Sequence, residues 1–154
     1  MLEEEKAKIG RLSLVVLCRE YARPVAMLWR ALTDATAVSQ WMEYPTQLDP
    51  RVGGRIVVDF SPDDGIDGIV TAAVENKLLL YTWGDTLVKW EVSESGSGCA
   101  LLFSHIGVEP ERAPGLAAGW HAFLDHLGPY LEGKRVRDRF SELETAYQSA
   151  VSTK

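Results

Sequence analysis

Two cysteines, three histidines and the lack of a long apolar run remove several common chemistries from this chain of 154 residues. Cys18 and Cys99 stand alone in strand-like segments, without the Cys-x-x-Cys spacing of a metal or redox motif, and are expected to be buried, inert thiols. No stretch approaches the roughly 20 apolar residues of a membrane-spanning helix. The opening Met-Leu-Glu-Glu-Glu-Lys lacks the basic and apolar regions of a signal peptide, so a cytoplasmic protein without a transmembrane segment is expected. Lys and Arg number 16 against 22 Asp and Glu, a net charge of -6, which argues against nucleic acid as a partner because phosphates require a basic face.

Catalytic motifs are equally scarce. There is no Gly-x-Ser-x-Gly elbow, His-Glu-x-x-His helix, Walker loop or Gly-x-Gly-x-x-Gly turn. His121 and His126 are five apart, which on a helix separates them by about 140° and defeats a shared metal site. Asp63, Asp64 and Asp67 flank Gly65 but lack the regular ligand spacing and terminal Glu of a calcium loop, and read as a polar hairpin. Neither a metal nor a tightly held cofactor is expected.

What is present is a pattern of strands closed by one helix. Residues 12–20 form a β-branched, apolar run suited to a first strand. Pro24 opens a short helix in which Val25, Leu28, Trp29 and Leu32 recur at helical spacing. Thr33-Asp34 ends it and offers caps for a second short helix reaching Trp41. Asp49-Pro50-Arg51-Val52-Gly53-Gly54 carries turn chemistry. Strands are then predicted at 55–60, 66–75, 77–83, 86–93 and 99–107, separated by Asp63-Asp64-Gly65, Glu75-Asn76, Gly84-Asp85 and Ser95-Gly96-Ser97-Gly98. Residues 115–133 form an apolar-striped helix. One long helix laid across a curved antiparallel sheet leaves space beneath it, a natural pocket for a small apolar molecule.

Alternate residues of a strand face opposite sides of a sheet, so parity identifies the inner face. Ile56, Val58 and Phe60 alternate with Arg55, Val57 and Asp59, and the first set is expected inside. Val88, Trp90 and Val92 follow by the same argument from Lys89 and Glu91. In the last strand either Leu101, Phe103 and His105 or Ala100, Leu102 and Ser104 fit, and bulk favours the first set. If Arg19 faces out, Val15 and Leu17 share its outer face.

Trp29-Arg30-Ala31-Leu32-Thr33-Asp34, Trp41, Asp49-Pro50-Arg51-Val52-Gly53-Gly54-Arg55, Tyr81-Thr82-Trp83, Ser104-His105-Ile106-Gly107 and Gly119-Trp120-His121-Ala122-Phe123-Leu124-Asp125 together resemble the AHSA-type family. That family is named for the activator of the heat-shock-protein-90 ATPase, within the START-like SRPBCC superfamily. The matches are collinear over about residues 10–133. The resemblance implies an α+β helix-grip fold: a strand, two short helices, six further strands and a long C-terminal helix. It departs from the family in the Glu75-Asn76-Lys77-Leu78 turn and in a tail after the long helix. A single domain is expected over 1–154, with its core at about 10–133 and a helical tail at 134–154.

Superfamily members bind apolar molecules in the cavity between sheet and helix, and some catalyse cyclisation or hydrolysis there. The candidate pocket residues are Phe60, Leu79, Tyr81, Trp83, Trp90, Phe103, His105, Trp120, Phe123, Leu124 and Leu127. Tyr and Trp carry one polar atom on a large apolar body and can orient a ligand while shielding it from water. His105 is the first candidate for a proton-handling group and Tyr81 the second, while His121 and Asp125, four apart, are expected to pair on the solvent side. Three readings follow: a binder of a small apolar or aromatic ligand, a cyclase- or hydrolase-type enzyme using the same cavity, and a chaperone-associated regulator. In the resembled fold the first and last strands are neighbours, so Val15, Leu17, Ala100 and Leu102 form an expected apolar dimer patch. In the tail, Val136, Phe140, Leu143, Tyr147 and Val151 recur near helical spacing behind Lys134, Arg135, Arg137 and Arg139, a second candidate contact surface.

Overall fold

The computed structural model describes residues 13–134 and, beyond them, Thr145, Ala146 and Gln148. Strand β1 (Ser13–Tyr21) leads to helices α1 (Val25–Thr33) and α2 (Ala35–Met42), then to strands β2 (Thr46–Leu48), β3 (Arg55–Ser61), β4 (Asp64–Val74), β5 (Leu78–Trp83), β6 (Thr86–Ser95) and β7 (Gly98–Val108), and finally to helix α3 (Ala113–Leu131). All seven strands join one antiparallel sheet in the order β1-β7-β6-β5-β4-β3-β2. This is the expected helix-grip arrangement. The residue pattern did not reveal β2, and β4 begins at Asp64, so the turn before it is Pro62-Asp63 rather than the predicted Asp63-Asp64-Gly65.

Asp34 organises the first helical pair by serving both helices. Its backbone N–H donates to the Arg30 carbonyl and closes α1, while its carboxylate accepts from the Thr36 N–H at 2.9 Å and the Ala37 N–H at 3.2 Å and opens α2. These bonds satisfy groups that a helix end otherwise leaves unpaired. The Trp41 indole N–H donates to the Ala31 carbonyl at 2.8 Å, tying α2 back onto α1. Helix α2 then stops at Glu43, whose φ of 64 is left-handed and turns the chain toward β2.

The inner face of the sheet follows the alternation expected from sequence. Ile56 and Val58 on β3, Val88, Trp90 and Val92 on β6, and Leu101, Phe103 and His105 on β7 are all buried, with Phe60 packed against them. Helix α3 covers this face with Ala117, Trp120, Leu124, Leu127 and Leu131, spaced so that each returns to the same side.

Strand β1 is where the expectation fails. Val15 is buried in the core and Leu17 packs against it, so the outer face carries Leu14, Val16 and Cys18 instead. Pairing settles the parity: Leu17 lies opposite Phe103 and Arg19 opposite Leu101, both inner residues. Arg19 shares the inner parity at the strand's end, where its long side chain reaches out and donates from Nη1 to the Cys18 carbonyl. Ala100 and Leu102 do lie on the outer parity. Cys18 is consequently exposed, contrary to the expectation for both thiols, while Cys99 is buried and burial pushes its thiol pKa up. The tail residues Val136, Phe140, Leu143, Tyr147 and Val151 lie outside the described residues.

Candidate functional site

A cleft of about 630 Å³ opens between α3, the α2–β2 turn and the inner ends of β3, β4 and β5. Four of the predicted pocket residues line it: Phe60, Trp83, Trp120 and Phe123. Tyr44 joins them, with its ring edge-on to Phe60 at 4.9 Å and to Phe123 at 6.1 Å. Aromatic pairs prefer such edge-to-face contacts, which hold the rings in fixed orientations. The result is a wall of ring faces and edges around an unfilled space.

The other seven predicted residues, Leu79, Tyr81, Trp90, Phe103, His105, Leu124 and Leu127, are core beneath this cleft rather than its lining. The reason is ring packing. Trp120 lies 4.5 Å from Phe103 and 5.0 Å from Trp83 between centroids, and Trp90 lies 4.7 Å from Phe103, so aromatic volume fills the deep end of the helix-grip cavity.

His105 belongs to a one-way chain of hydrogen bonds. The Trp120 indole, which can only donate, gives its N–H to His105 Nδ1 at 2.9 Å. Nδ1 therefore carries a lone pair, the proton sits on Nε2, and that N–H donates to Thr86 Oγ1 at 2.7 Å. Thr86 in turn donates to the Trp83 carbonyl at 2.6 Å. Burial, with the nearby Arg112 charge, pushes the His105 pKa down to about 4. Both ring nitrogens are thus committed inside the protein, leaving no lone pair or proton for a substrate. Tyr81 is similarly enclosed: its hydroxyl accepts from the Trp90 indole at 2.9 Å, and burial raises its pKa far above the ordinary phenol value. The proton-handling roles considered for His105 and Tyr81 therefore have no exposed group to act through.

Sequence reasoning missed the floor of the cleft. Gly115, Gly119 and Ala122 all line it and recur at i, i+4 and i+7, so one stripe of α3 carries almost no side-chain volume. The next position on that stripe, i+11, is His126. Its Nδ1 lies 3.1 Å from the Trp41 carbonyl at the end of α2, while its Nε2 is buried without a hydrogen-bond partner. His126 also borders a second cleft of about 770 Å³, which shares Glu43 and Tyr44 with the first. The signal available in the sequence was that run of small residues, hidden beside the conspicuous aromatics.

Two further sets of polar residues singled out in the sequence have structural partners. His121 and Asp125 pair along α3 at 3.7 Å, half-buried rather than fully in solvent. Asp67 forms an ion pair with Arg55 across β3 and β4, and the guanidinium holds its carboxyl below the usual range. Among the described residues, no group of three or more His, Cys, Asp or Glu side chains is placed to hold a metal, and no helix is long and apolar enough to cross a membrane.

Residues 22–132 match the family model described as activator of Hsp90 ATPase homolog 1-like protein. The chain belongs to that family. Solved structures similar to this AHSA-like chain include a conserved protein of unknown function from Enterococcus faecalis, with a TM-score of 0.81 and 20% identity over 94% of this chain and 87% of that one. A protein from Mesorhizobium loti has a TM-score of 0.73 and 26% identity, covering 80% of this chain and 100% of that one. The Aha1 dimer from Colwellia psychrerythraea has a TM-score of 0.71 and 18% identity, covering 79% and 97%. No curated protein matches the AHSA-like chain by sequence. The cleft between helix and sheet is thus set in a fold that many solved proteins share.

Proposed function

We propose that this chain binds a small, largely apolar molecule with a planar aromatic body in the cleft between α3 and the sheet, in the cytoplasm. The observation that carries the reading is the pairing of an aromatic wall with a bare helix floor: Tyr44, Phe60, Trp83, Trp120 and Phe123 surround a space that Gly115, Gly119 and Ala122 leave open. Its volume, about 630 Å³, falls in the range typical of small-molecule sites. The cyclase- or hydrolase-type alternative has less support, because the His105 and Tyr81 polar atoms are engaged inside the core. The chaperone-regulator alternative rests on the family description alone.

The test is native mass spectrometry of the full chain purified gently from its own cells, followed by denaturing extraction with organic solvent. A reproducible, extractable apolar adduct is the expected result. A bare protein that also fails to bind any member of an aromatic library would overturn the reading.

We further propose that the outer face of β1 and β7 mediates self-association. Leu14, Val16 and Leu102 are exposed there at 55%, 45% and 37%, an unusual cluster of large apolar side chains on open sheet. One structural relative is itself described as a dimer. Sedimentation of the wild type against Val16→Glu decides it: a dimer that the substitution dissociates supports the assignment, and a monomeric wild type removes it.

A further inference from the structure

We propose that His126 Nε2 is the hydrogen-bond acceptor that selects a hydroxyl-bearing aromatic ligand in the α3 cleft. This inference rests on the cleft being a ligand site. It begins with the tautomer: the Trp41 carbonyl can only accept, so the 3.1 Å contact places the proton on His126 Nδ1. In the neutral ring Nε2 then holds a lone pair, and it is the only buried histidine nitrogen among the described residues without a partner. An unpaired buried polar atom is unfavourable and calls for a partner.

Position supplies the second argument. His126 continues the Gly115, Gly119, Ala122 stripe and is the first side chain on it with a polar atom. The cleft runs along that stripe toward it, and Glu43, Tyr44 and His126 form the boundary with the adjoining cleft. Nε2 is buried at the cleft's edge, and a small tilt of the imidazole about its contact with Trp41 would present it to an occupant. A phenolic O–H fits both demands. Its ring stacks or packs edge-on among Tyr44, Phe60 and Phe123, and its proton meets the waiting lone pair. An ether of the same shape fills the space but presents an acceptor to an acceptor.

The experiment compares β-naphthol with its methyl ether on the full-length protein, reading affinity by calorimetry and the imidazole nitrogens by NMR. The wild type is expected to favour naphthol by about tenfold, the loss typical of one hydrogen bond to a buried group. His126→Phe is expected to abolish that preference while still binding the ether. In the wild type the Nε2 resonance is expected to move with naphthol and to stay fixed with the ether, a readout independent of any variant's folding. Equal binding of both probes by the wild type, or an unmoved Nε2 resonance with naphthol bound, overturns the assignment to His126 and leaves the cleft reading intact. Failure of both probes to bind overturns the assignment, and the extraction and library test then decides the cleft reading.

Discussion

Trp120 on helix α3 donates its indole N–H to Nδ1 of His105 on strand β7 at 2.9 Å, and this bond fixes which histidine nitrogen carries the proton. A protonated imidazole would turn a donor toward a donor. The bond is therefore worth keeping only while His105 is neutral, which links helix docking to pH.

The unfolded imidazole titrates near 6.5 and the folded one near 4, so the unfolded chain takes up its proton first as the pH falls. The stability contributed by neutral His105 is complete above about pH 6.5 and is lost as pH falls toward about 4. In that window its slope approaches about 1.4 kcal/mol per pH unit. Urea unfolding of the wild type and of His105→Gln measures the difference. The variant is expected to show the shallower decline, and parallel curves would assign the pH dependence elsewhere.

Filling the floor of the cleft separates binding from folding. Gly119→Leu places a branched side chain in the ligand space and removes a helix-interior glycine, which by itself stabilises a helix by roughly 0.5–1 kcal/mol. Probe affinity is expected to fall at least about tenfold, the equivalent of roughly 1.4 kcal/mol, while the thermal midpoint holds or rises. Calorimetry and thermal unfolding on the same preparation check both halves.

Gly68 makes the opposite point, since no side chain fits there. A methyl group at this position would run into the Thr82 carbonyl oxygen, a backbone atom with little freedom to move. Gly68→Ala is expected to destabilise by about 1–3 kcal/mol, read from denaturant midpoints, because β4 and β5 must separate to admit it.

The two thiols are expected to react at different stages of unfolding. Cys18 is exposed on the outer sheet face and Cys99 is buried with a raised pKa. Thiolate is the reacting species, so iodoacetamide should label Cys18 in the native monomer and Cys99 only on unfolding. Peptide mapping after brief alkylation gives the order directly.

Much of this architecture was legible because one physical rule dominated locally. Alternation identified the inner faces of β3 and β6, where Arg55, Asp59, Lys89 and Glu91 mark the opposite side, and helical spacing exposed α3. The rule misled on β1, where Arg19 looked like a marker of the outer face. At a strand end a long cation reaches solvent from the inner parity, so its charge carries no facial information. Strand β2 was invisible because three residues are too few to show a period. At the site, aromatic content correctly drew attention to the space under α3 but not to which rings fill it and which border it. That division depends on packing between Trp120, Phe103 and Trp83, residues far apart in sequence. In the sequence His126 reads only as a metal partner for His121, and its relation to Trp41 exists only once α2 and α3 have met.

The pairing of the first strand with the last sets a timetable for folding. Leu17 lies opposite Phe103, and among the described residues β1 has no other neighbour in the sheet. During synthesis its apolar face must wait for β7 to leave the ribosome, which at roughly 5–20 residues per second is a delay on the order of ten seconds. Closing so long a loop also slows refolding from denaturant, because its entropy is lost before the strand contacts form. The nascent chain thus holds Val15 and Leu17 without their strand partner for longer than any segment between α1 and β6.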